Sequence, residues 1–137
     1  MAKTKVKISR WSTTVVILSL LLFFFTIPHT LEDFATGEPA KAGIPAAVIS
    51  YVIAGMFSLQ ALALFWTGRR MHRSYIIHAF IGLFWPLAAG VAQLPTILSG
   101  NPYRTGFISV FYVGGMLLIG VLLFIVSLLA LRTNTSR

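Results

Sequence analysis

The chain has no cysteine, which excludes disulfides, thiolate metal ligands and thiol catalysis. Acidic residues are nearly absent as well. Only Glu32, Asp33 and Glu38 occur among 137 residues, all within the stretch Ile27 to Pro39. Charged residues make up 10% of the chain, against the ~25% usual in a soluble domain. With 57% hydrophobic residues, a soluble protein of this size would lack the polar surface to cover its apolar bulk, so lipid is the expected solvent. The formal net charge of +8 does not point to nucleic acid. The basic residues flank apolar runs, as membrane flanks do, and are not interleaved with aromatics.

What is present is a series of long apolar segments. Four read as spans: Trp11 to Pro28, Pro45 to Trp66, Tyr75 to Leu98 and Phe107 to Leu131. Each approaches or exceeds the ~20 residues that cross a hydrocarbon core at 1.5 Å per residue. None contains Lys, Arg, Asp or Glu. Inside lipid each segment must satisfy its own backbone hydrogen bonds, which dictates helices. The expected fold is therefore all-α and polytopic, with residues 1–137 forming a single four-helix transmembrane domain. The first helix is read as retained, because the small-residue pattern at Ala40-Lys41-Ala42 lies too far from the apolar run for a signal-peptide site. Lys3, Lys5, Lys7, Arg10, Arg69, Arg70, Arg73, Arg132 and Arg137 fall on one side, and only Lys41 and Arg104 on the other. This bias predicts both termini in the cytoplasm, with residues 29–44 and 99–106 facing outward, in a bacterial or archaeal cell membrane. Trp11, Trp66, Tyr75 and Tyr103 fall near the expected interfaces.

Polar side chains within the spans are few. Ser12, Ser19 and Thr26 recur every seven residues along the first helix. His78, Gly82, Trp85, Ala89 and Gln93 form a small-and-polar stripe on the third, and Ser109, Gly120 and Ser127 share a face of the fourth. Small residues and hydroxyls of this kind let membrane helices approach and bond. His78 is the ionisable residue well within a span, and Gln60 lies at similar depth on the antiparallel second helix. A Gln60–His78 hydrogen bond is the expectation, and His78, Gln60 and Gln93 are candidate cofactor-binding residues, with no cofactor assigned. His29 and His78 lie too far apart in helical rise to ligate one haem iron.

The acidic stretch "PHTLEDF" follows the first span. Pro28 cannot continue the hydrogen-bond ladder, so a kink or a new short helix is expected there. In helical geometry His29, Glu32 and Asp33 stand at i, i+3 and i+4, on one face. Imidazole with two carboxylates in that pattern suits a divalent metal such as Zn²⁺, Fe²⁺ or Mn²⁺, or acid–base chemistry, making these three the candidate catalytic and metal-ligating residues. Gln93 could add a neutral ligand or hydrogen bond. Equally, acids after Pro28 complement a helix dipole at a membrane interface. The run His29-Thr30-Leu31-Glu32-Asp33 resembles the signature of bacterial HXXEE-motif membrane proteins, small multi-span proteins without an established reaction, with Asp33 in place of the final Glu.

Three functions are compatible with these features. The first is a non-catalytic accessory protein or subunit of a membrane complex, packing as a homo-oligomer or against other membrane subunits. The second is a membrane-embedded enzyme using His29, Glu32 and Asp33 on a lipid-soluble substrate. The third is a small oligomeric transporter or channel lined by Ser19, His78 and Gln93.

Overall fold

The computed structural model describes residues 10–134, which fold as α1 (Arg10–Ala35), the single-turn α2 (Glu38–Lys41), α3 (Ala46–Gly68), α4 (Arg73–Leu98) and α5 (Phe107–Asn134). No strand occurs among the described residues. Helices α1, α3, α4 and α5 are long and apolar enough to cross a membrane. Lys3, Lys5, Lys7 and Arg137, used above for orientation, lie outside the described residues.

One boundary differs from expectation. Helix α1 neither stops nor restarts at Pro28 but continues to Ala35, so that His29, Glu32 and Asp33 all lie on it. Proline removes one backbone donor from the ladder, the one that would reach the Phe24 carbonyl, and a long membrane helix tolerates that single loss. On either side of it, the hydroxyls turn back onto the same helix: Thr26 Oγ1 donates to the Leu22 carbonyl at 2.9 Å and Thr30 Oγ1 to the Thr26 carbonyl at 2.7 Å. The break comes later, where Gly37 at φ 72° starts the turn into α2.

The long helices pack up and down, with seven-residue spacing on their buried faces. On α1 Val15, Ser19, Leu22, Thr26 and His29 are buried in that repeat, with Thr30 buried beside it; on α5 the buried positions are Ser109, Val113, Met116, Gly120, Leu123, Ser127 and Ala130. Alternating steps of four and three keep one stripe facing its neighbour, the geometry of left-handed bundle packing. Ser19 and Thr26 are fully buried as the repeat predicts, and half-buried Ser12 bonds the Tyr75 hydroxyl at 2.6 Å. The α4 stripe is buried from His78 through Ala89, with Gln93 half-buried at its end.

Helices α4 and α5 meet most closely at Gly82 and Gly120. A Cβ on Gly82 would lie 2.6 Å from the Phe124 backbone nitrogen and 2.7 Å from the Gly120 carbonyl oxygen. On Gly120 it would lie 2.6 Å from Pro86 Cδ. The two backbones touch because neither residue has a side chain.

Helix α3 is packed differently. Its buried residues, Met56, Gln60, Ala63 and Thr67, all lie toward its Gly68 end, and residues 46–55 include none. The N-terminal half of α3 therefore stands away from α1 and α4. Large apolar side chains such as Phe24, Phe65, Phe80 and Phe107 cover the outside of the bundle. This is the inverse of a soluble helical protein and is compatible with a hydrocarbon solvent.

Candidate functional site

At one end of the bundle, the C-terminal turns of α1 meet α2, the end of α4 and the 99–106 loop. Arg104 enters this junction from the loop with φ 42°, a left-handed conformation unfavourable for a residue with a Cβ. That conformation delivers a side chain only 5% exposed into a ring of acceptors. Its Nη1 bonds Asp33 Oδ1 directly and lies 3.9 Å from Glu32 Oε2, and its Nη2 lies 3.8 Å from Glu38 Oε2. Nη2 also donates to Gln93 Oε1 at 3.0 Å, an oxygen that accepts from the Tyr103 hydroxyl at 2.7 Å. The planar guanidinium, with five donors in a fixed fork, is the side chain suited to bridging several carboxylates at once.

Glu32 is held by hydroxyls. Thr105 Oγ1 donates to its Oε1 at 2.6 Å, and Ser109 Oγ donates to the same oxygen. Glu38 is bonded by Lys41 Nζ at 2.8 Å, and this contact is the main reason its carboxyl sits below the usual carboxylate range. Burial, reinforced by the nearby carboxylates and opposed by Arg104, pushes the Tyr103 phenol up to about 12. His29 Nε2 lies 3.5 Å from Asp33 Oδ2. His29 Nδ1 is buried and has no partner.

Of the residues singled out in sequence, the structure brings His29, Glu32, Asp33 and Gln93 to this one end. They meet through Arg104 rather than around a common point. Among the described residues, no three His, Asp or Glu side chains are grouped so as to hold a metal ion. Asp33 is turned to Arg104, and Glu32 to Thr105 and Ser109. Arg104, Thr105 and Ser109 were not recognisable as partners, although a lone arginine on the acidic side of the chain was a signal.

The second polar group lies toward the opposite end. The expected Gln60–His78 hydrogen bond does not form. Gln60 Nε2 donates to the Ser19 carbonyl at 2.8 Å and to Ser19 Oγ at 3.1 Å, turning across to α1. His78 Nε2 lies 3.2 Å from Thr67 Oγ1. Because Thr67 Oγ1 gives its own proton to the Ala63 carbonyl at 2.9 Å, the imidazole is the donor in this pair. Equal depth was legible in the sequence; the helical face was not, and Thr67 is the residue α3 presents to His78. Gln60 Oε1, His78 Nδ1 and Ser127 Oγ are buried without partners. Gln93 is fifteen residues from His78 on α4, roughly 22 Å of rise, so the three candidate cofactor residues do not share a site.

A cavity of about 350 Å³ occupies the space left where α3 diverges. Its walls come from α3 (Val48 to Ile53), α4 (Phe84 to Gln93), Met116 of α5, and His29, Thr30 and Asp33 of α1. It is apolar apart from its end at the Arg104 cluster.

These features define a small all-helical protein with four potential membrane spans, a polar clasp at one end and an apolar cleft below it. No family model, curated protein or solved structure matches the chain.

Proposed function

We propose that this chain is a small integral membrane protein that works without catalysis, as an accessory protein or subunit packed against copies of itself or other membrane proteins. Four apolar helices and the lipid-like character of their exposed faces support the location. The observation that carries the non-catalytic reading is that each carboxylate of the acidic end is already held by a partner, Glu32 through its Oε1 alone. All three carboxylates are engaged, by Arg104, Thr105, Ser109 and Lys41, as in a structural clasp joining α1, α2, α4 and the start of α5. A catalytic carboxylate must instead be available to its substrate.

The positive-inside bias supports an orientation with the Arg69–Arg73 turn and both termini in the cytoplasm, and with the Arg104 clasp outside, in a bacterial or archaeal cell membrane. The transport reading is less well supported, since Ser19 is tied to Gln60 and Gln93 is tied to Arg104, far from His78. The enzymatic reading retains two specific observations, the unpartnered Nδ1 of His29 and the buried Glu32 Oε2, which accepts no hydrogen bond.

Native mass spectrometry of the gently extracted protein tests the proposal. The expected spectrum contains stoichiometric additional copies or partner chains, and His29→Ala leaves that assembly intact. A monomer with no associated chain would overturn the accessory role.

A further inference from the structure

We propose that the cleft between α1, α3 and α4 binds one neutral, lipid-soluble ring compound of the quinol class. Its oxygens would bond the His29 imidazole and the Trp85 indole, and its apolar tail would lie along α3.

The cleft has the dimensions of a site. Its volume of about 350 Å³ falls at the lower end of the ~300–1,000 Å³ typical of small-molecule pockets. This suits one ring with part of a tail, not a two-chain lipid. The walls explain the shape. Ala88, Ala89 and Ala92 make a flat floor on α4, Phe84 and Trp85 bound it with aromatic surface, and the diverging half of α3 forms the opposite side. Flat apolar slots with aromatic edges favour a planar ring, through offset or edge-to-face contacts.

Two unsatisfied groups select the ligand's polar atoms. Trp85 is 5% exposed and His29 4%, both line the cleft, and Trp85 Nε1 and His29 Nδ1 lack hydrogen-bond partners. Leaving a buried donor or acceptor unpaired is costly, and more so where water is scarce. The indole N–H can only donate, so the ligand must bring an acceptor oxygen. His29 Nδ1 donates or accepts according to the tautomer of its ring, and a ligand hydroxyl, which can do either, matches both.

The two groups lie at neighbouring depths in the cleft. Asp33 and Gln93 both bond Arg104 and so share a depth in the bundle. His29 lies four residues from Asp33, roughly 6 Å of rise, and Trp85 eight residues from Gln93, roughly 12 Å. The two groups are thus about one helical turn, roughly 6 Å, apart along the cleft. The tail would leave sideways past Val48 and Val52, both half-exposed.

Charge argues against a phospholipid headgroup. The charged side chain in the cleft wall is the anion Asp33, and the bases at this end, Lys41 and Arg104, are already held by carboxylates. A phosphate would meet a like charge with no available base. This binding role does not depend on the accessory role proposed above.

The test uses the full-length protein in nanodiscs of zwitterionic phospholipid, titrated with a decyl-substituted benzoquinol and followed by native mass spectrometry. Saturable binding of one molecule per chain is expected. Trp85→Phe keeps the ring and removes the N–H, and should weaken binding roughly three- to tenfold, as should His29→Ala. Ala88→Leu, at an exposed position on the cleft floor, should block binding without lowering the melting temperature, and Ala92→Leu provides a second filling variant. Decylbenzene, which has no oxygen, should not compete. Equal binding of decylbenzene would overturn the proposal, as would unchanged affinity in the filled variants. So would one tightly retained phospholipid per chain that the quinol fails to displace.

Discussion

Arg104 carries more of the polar end than any other residue, because four acceptor side chains on three helices converge on it: Asp33, Glu32, Glu38 and Gln93. Its replacement by glutamine would keep much of the shape and remove the charge, leaving Asp33 without its cation in a partly buried site. The expected loss is about 3 kcal/mol of stability, measured by denaturation in detergent. Arg104→Lys should recover only part of it, since an ammonium cannot reproduce the fork. The neighbouring groups also set a pH dependence. The Tyr103 phenol is held up near 12 in the folded protein, while in the unfolded chain it ionises near 10. Between these values the unfolded state binds fewer protons, so this stabilisation is complete below about pH 10 and is lost as pH rises toward 12. Thermal scans from pH 9 to 12 should show that loss, and Tyr103→Phe should reduce it. Glu38 has the opposite sign. Its depressed value stabilises the fold above the ordinary carboxylate range, and that contribution disappears as acid protonates the folded group.

At the scale of helices, the α4–α5 contact is the tight seam and α3 the loose one. Gly82→Ala would drive a methyl group into the Phe124 and Gly120 backbones, which cannot move aside as a flexible side chain can. The predicted cost is about 1–3 kcal/mol, with a lowered melting temperature in the purified protein. Gly55→Ala is the matched control, because nothing lies within 4 Å of the added Cβ. On α3 that change should be neutral or stabilising by up to about 1 kcal/mol, through helix propensity alone. The stripe His78, Gly82, Trp85, Ala89 and Gln93 was legible as a packing face, because side chains three and four apart share one side of a helix. What a stripe touches was not legible. His78 meets Thr67, and Gln60 meets Ser19, according to how α3 is rotated about its axis.

For the molecule as a whole, the distribution of charge is the feature that relates the fold to a membrane. Among the described residues, the end with Arg10, Arg69, Arg70, Arg73 and Arg132 contains no acid, while the clasp end holds all three. The absence of native cysteine makes the resulting orientation directly measurable. In intact cells, a cysteine introduced at Asn101 should react with a membrane-impermeant maleimide, and one at Arg70 should not. The reverse pattern would invert the proposed topology.

Composition and hydropathy by themselves determined that the protein is helical and where its four long segments lie, because in a hydrocarbon solvent a backbone has few ways to satisfy its hydrogen bonds. They also marked His29, Glu32 and Asp33 as unusual, since charge is scarce in this chain. Only the tertiary structure decided what those residues do to one another. It carried α1 through Pro28 and swung Arg104 in from a loop 71 residues beyond Asp33. It also left the N-terminal half of α3 standing away from the bundle, so that a cleft opens beside two unpartnered side chains. Those outcomes depend on rotation, register and long-range contact, and a local pattern of residues encodes none of them alone.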